Sequence, residues 1–106
     1  MSWENWIANN CEEEARKLRI PEFKRFFDVV CYNRTRQSTP VMLRGLFYEE
    51  MRKAGYTLYE IKEVTGFDHA TIIYNVNRIS ELRAVNDSLL KEVQEMYERK
   101  RKEFYP

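Results

Sequence analysis

The chain has 106 residues, a formal net charge of +1, 43% hydrophobic and 33% charged residues, and two cysteines. That length fits one domain with a core of its own, so neither a disulfide framework nor a structural metal is needed to fold it. The near-zero net charge excludes a polybasic tail, so any case for nucleic acid must rest on local charge.

Few Gly and Pro among many Glu, Lys, Arg and Leu favour helices, and the chain reads as all-α. About six helices are expected in a compact domain. Its parts are N-terminal helices at 1–32, a helix-turn-helix region at 33–83 and an amphipathic helix at 84–106. Ser2 is placed to cap a first helix, with Trp6, Ile7, Cys11, Ala15 and Leu18 at helical spacing. Pro21 is expected to end that helix or start the next, in which Phe23, Phe26, Phe27, Val30 and Cys31 make an apolar face. The segment YNRTRQSTP, 32–40, reads as a polar, basic loop. Ser38 or Thr39 can then cap a third helix with Pro40 at its first position. Leu43, Leu46, Phe47, Met51 and Ala54 form its stripe, and Gly55 stops it.

Thr57-Leu58-Tyr59-Glu60 matches a capping box, so a short helix starts there, with Leu58, Ile61 and Val64 inward and Gly66 as its end. Asp68 is placed to cap the next helix, whose core stripe is Ile72, Val76, Ile79 and Leu82. A short helix, a glycine turn and a second helix outline a helix-turn-helix. From Asn86 to Phe104 a long amphipathic helix is expected, with Leu89, Val93, Met96, Tyr97 and Phe104 on one face. It could dimerise or dock on a protein partner.

Charge is uneven along the chain. Residues 33–54 carry Arg34, Arg36, Arg44, Arg52 and Lys53 against Glu49 and Glu50, a net of +3, while 55–80 nets −1. Cys11 and Cys31 lack zinc-ligand spacing and read as free buried thiols of a reducing compartment. No apolar run approaches the ~20 residues of a membrane span. MSWENWIANN lacks the basic start and apolar core of a signal peptide, which predicts a cytoplasmic protein, nucleoid-associated if it binds DNA.

His69 is the single histidine, beside Asp68. Adjacent residues at a helix start point apart, and there is no phosphate loop, nucleophile elbow or histidine cluster. No catalytic residue, metal ligand or cofactor is therefore assigned, and the chain is not read as an enzyme. A capping aspartate with a solvent-facing histidine is the plain alternative. The competing reading is duplex recognition. The residues free to project from the second helix are then His69, Ala70, Thr71, Tyr74 and Asn75, with Arg78 further along. Ala70 suits a thymine methyl, Asn75 an adenine edge, and Thr71 and Arg78 phosphates. Arg34 and Arg36 could follow the backbone or enter a minor groove.

The stretch GFDHATIIYNVNRI, 66–79, resembles the signature of the C-terminal DNA-binding domain of the bacterial replication initiator DnaA, roughly GRDHTTVxHAxxKI. TLYEIKEVTG before it, ISELR after it and the basic loop NRTRQS agree, so the resemblance covers about 33–83. It implies a helix-turn-helix fold with double-stranded DNA as partner. It also implies base or backbone contacts at Asp68, His69 and Thr71, a minor-groove arginine from the loop, and Arg44 near the family's Arg-Gln. The chain departs from the pattern at Lys62 (for glycine), Phe67 (for arginine), Ala70 (for threonine) and Tyr74 (for histidine). Those departures, the near-neutral charge and 14% aromatic residues point to the alternative, a helical protein-interaction module that keeps the fold without the DNA.

Overall fold

The computed structural model describes residues 16–31 and 38–104. Among these the fold is all-α. Helix α1 covers residues 16–31, its last turn widening to a π-helix at Phe27–Cys31; α2 is Ser38–Lys53, α3 Leu58–Thr65, α4 His69–Ala84 and α5 Ser88–Phe104. Arg34, Arg36, Ser2, Trp6 and Cys11 lie outside the described residues.

Helix α2 organises the rest. Every residue from Met42 to Tyr48 is buried, as is Met51. A helix apolar on all sides belongs in the middle of a bundle, and α2 packs against α1, α3, α4 and α5. The stripe expected on one face is therefore too narrow, and its last member, Ala54, is exposed. Phe47 sits at the centre, its ring centroid 6.2 Å from Phe23, 6.1 Å from Phe26 and 5.1 Å from Phe27. Such aromatic pairs contribute about 0.5–1.5 kcal/mol each beyond their area burial.

Two boundaries differ from expectation. Residues 16–26 run helical through Pro21, which is exposed. A proline removes one backbone donor, and at a solvent-facing position the freed carbonyl can bond water. Helix α2 begins at Ser38, so Pro40 is its third residue. The first turn's N–H groups lack intrahelical acceptors in any case, so the missing donor costs little there.

The α2–α4 crossing depends on Gly45. A Cβ there would lie 2.6 Å from Ile79 Cγ1 and 3.3 Å from the Asn75 carbonyl oxygen. Only a residue without a side chain lets the two backbones approach this closely.

The last helix packs through Leu90, Val93 and Tyr97, all buried, with Met96 and Phe104 partly so. Leu89, expected inside, is 38% exposed and Leu90 takes its place. The helix starts later than expected: Asn86 closes α4 with φ 53, and Asp87 accepts the Leu90 N–H at 2.9 Å. The apolar stripe is thus used inside the fold, as the simple packing of this helix on the N-terminal helices requires, with Tyr97 and Phe104 both meeting Phe26 edge-on. No helix among the described residues is long and apolar enough to cross a membrane.

Candidate nucleic-acid interface

The corner made by α3 and α4 is built by local chemistry. Thr57 and Glu60 form a reciprocal capping box: the Glu60 N–H donates to Thr57 Oγ1 at 3.1 Å, and the Thr57 N–H to Glu60 Oε1 at 3.0 Å. Gly66 closes α3 with φ 77 in the left-handed region, which suits a residue without Cβ. Thr65 donates its hydroxyl to the Ile61 carbonyl at 2.8 Å and accepts the Phe67 N–H at 3.3 Å. Asp68 then caps α4, its Oδ1 accepting the Thr71 N–H at 2.8 Å. That bond to the backbone, with a lesser contribution from the Thr71 side chain, holds the exposed Asp68 carboxyl below its usual range; the Lys62 and His69 charges act the same way.

Phe67 ties the turn to the core. Its ring meets Phe27 edge-on at 6.2 Å and Tyr48 at 6.4 Å, and the Arg44 guanidinium lies 5.1 Å from its centroid. Arg44 is itself buried. This corrects its assignment to the DNA-facing set: a guanidinium packed beneath an aromatic ring is no longer an exposed cation. Its charge also works against the upward push that burial gives the Tyr48 hydroxyl.

Asn75 is the second correction. It was expected to project, yet it is buried, one turn from Ile72 and Ile79 at the Gly45 crossing. The core stripe of α4 follows the helix axis, and Asn75 falls on it irrespective of polarity.

Of the remaining positions, Arg34 and Arg36 lie outside the described residues and the others share α4 and its cap. Asp68, His69, Ala70, Tyr74 and Arg78 are exposed and Thr71 half-buried, all along the first ten residues of α4 or at its cap. Arg78 is 3.5 Å from Glu81, an exposed pair of small value that can exchange partners readily. Two residues were missed. Ile73, an apolar side chain 45% exposed, and Asn77 also stand on the open face. The helical period locates them, because positions 70, 73 and 77 fall opposite the 72, 75 and 79 core stripe.

A different polar set lies where α2, α4 and α5 meet. Arg83 grips Glu49 with two hydrogen bonds of 2.7 and 2.8 Å, joining α4 to α2. Glu50 accepts the Tyr97 hydroxyl at 2.5 Å and Arg101 at 2.7 Å, joining α5 to α2. The Arg83 hydrogen bonds hold the Glu49 carboxyl down despite its partial burial. Burial, reinforced by Glu50, pushes the Tyr97 hydroxyl far up. These groups line a cleft of about 360 Å³ between the three helices, and their polar atoms are largely spent on one another. Among the described residues no group of His, Cys, Asp and Glu could hold a metal ion.

These features define an all-α domain with a capped two-helix corner. No family model, no curated protein and no solved structure matches the chain.

Proposed function

We propose that the chain binds double-stranded DNA, using the α3–α4 corner as a helix-turn-helix with the start of α4 in the major groove. The observation that carries this is the Asp68 cap. It fixes the first turn of α4 by a side-chain bond to Thr71 while His69, Ala70, Tyr74 and Arg78 stay exposed along one continuous front. In a helix-turn-helix, the N-terminal residues of the second helix are the ones that meet base edges. The Asp-His-x-Thr order at this point is the part of the chain that resembles the initiator family. Asp68 serves as cap and as acceptor for a cytosine amino group, His69 and Thr71 reach base or phosphate, and Arg78 takes a phosphate.

The test is a gel shift of a random duplex pool at low salt. Retardation should weaken with salt in proportion to the few phosphates contacted. The double variant His69→Ala, Thr71→Ala should relax sequence preference, and Arg34→Ala should weaken all duplexes alike. A pool that migrates unretarded at the lowest salt rejects the proposal.

A second reading is favoured by two observations, the burial of Arg44 and the exposure of Ile73 and Tyr74. They remove a cation and leave an apolar element on the same front, which suits a protein partner. Retention of a protein ligand with no duplex retardation would select it.

A further inference from the structure

Resting on the DNA reading, we infer that the bases are discriminated chiefly by the ridge Ala70–Ile73–Asn77, and that the preferred site is rich in A·T pairs read through thymine methyls. The ridge is the centre of the face that α4 turns away from α2. All three residues are exposed, and Ile73 is 45% exposed although isoleucine is usually buried. At i, i+3 and i+7 they form one line about 10 Å long, roughly three base-pair steps.

The chemistry of the line selects its target. The apolar feature of a major-groove edge is the thymine C5 methyl, and the edge that pairs bidentately with an amide is adenine. Ala70 and Ile73 supply apolar carbon, and Asn77 supplies the amide one turn further on. The ridge carries no arginine or lysine, so it lacks the usual bidentate reader of guanine O6 and N7. Arg78 stands immediately beside the ridge, exposed, and supplies the positive charge that a phosphate backbone complements. The Asp68–His69–Thr71 corner fixes the depth and register of α4 and reads the bases at its tip, and the ridge sets the A·T preference along the rest of the helix.

The experiment titrates the chain with alternating poly(dA-dT), poly(dA-dU) and poly(dG-dC) duplexes at low salt, followed by fluorescence anisotropy. Replacing dT by dU removes the methyl and leaves the phosphates and the minor-groove edge unchanged. Affinity should fall from dA-dT to dA-dU by about fourfold for each methyl contacted, the factor for about 0.8 kcal/mol per buried carbon. It should fall further for dG-dC. Ile73→Ala should shrink the dT/dU ratio towards one while duplex binding persists, and Glu92→Gln, exposed on α5, should leave the ratio in place. Ile73→Thr provides a second variant, and thermal melting checks that both fold. Equal affinity for dA-dT and dA-dU, with duplex binding intact, overturns the ridge and spares the DNA reading. Absence of binding to all three duplexes overturns both.

Discussion

The α1–α2–α5 body and the α3–α4 corner are held together by different physics. The body is a cluster of aromatic rings in which Phe26, Phe27, Phe47 and Tyr48 are essentially inaccessible to solvent. Its stability is collective, since each ring touches several others. The corner joins the same core through Ile61, Val64, Ile72 and Ile79, all buried, but its outward shape comes from two caps, a left-handed glycine and the Phe67 anchor. Large losses should therefore come from the buried rings and small, local ones from the caps and turn of the corner.

The largest expected effect tests the body. Phe47→Ala should cost about 3–5 kcal/mol, the range for deleting a buried ring, read as a lower denaturation midpoint. Next is the seam between the two regions. Gly45→Val should cost about 1–3 kcal/mol by overpacking against Ile79, and should change the Ile79 methyl environment in NMR spectra. A smaller loss, about 1 kcal/mol, is expected for Thr57→Ala, which removes one half of the α3 capping box. If Thr57→Ala proved as damaging as Phe47→Ala, the distinction between body and corner would be broken.

The smallest effects are electrostatic. Glu49 is held below its usual range by Arg83, and Asp68 by the Thr71 N–H. A carboxyl depressed by folding stabilises the protein above its unfolded value and loses that contribution as pH falls through the folded one. The melting temperature should accordingly decline below about pH 4, the ordinary carboxylate range. Glu49→Gln should flatten part of that decline at a cost near pH 7 below about 1 kcal/mol. Asp68→Asn should keep the cap and remove its acid sensitivity. The Cys31 thiol is pushed up to about 12, chiefly by burial. In a Cys11→Ser background, alkylation of Cys31 should follow unfolding and be negligible in the folded protein.

The features legible in the sequence are the ones decided within four residues. The Thr57-x-x-Glu60 box, the Gly66 stop and the Asp68 cap each depend on neighbours along the chain, and each forms as expected. The illegible ones depend on what packs from elsewhere. Tyr56 lies between the Gly55 stop and the Thr57 cap, yet it is buried with its hydroxyl donating to the Arg16 carbonyl at 2.6 Å, forty residues earlier. Tyr48 falls outside the stripe expected for α2 and is enclosed, because α2 has neighbours on all sides. Arg44 and Asn75 have polar side chains at positions that the packing covers, so chemistry suggested a surface and position overruled it. Leu89 and Leu90 are equally apolar, and the Asp87 cap decides which of them turns inward. At the candidate site the exposure of Asp68, His69, Ala70, Tyr74 and Arg78 was legible. Ile73 was not, because an isoleucine on a helix reads as core, and Asn77 was not, because its exposure depends on how α4 is rotated against α2.

Glu49 and Glu50 are consecutive on α2, yet one reaches α4 through Arg83 and the other α5 through Tyr97 and Arg101. Successive helical residues point about 100° apart, so the two carboxylates form a fork whose prongs are set by helical phase. Inserting or deleting one residue between Gly45 and Glu49 would rotate both prongs together relative to the glycine contact. Both outer helices would lose their polar partners in a single event. The length of that turn is therefore a count the fold checks twice, and insertions there should be tolerated far less well than in the turn at 85–87.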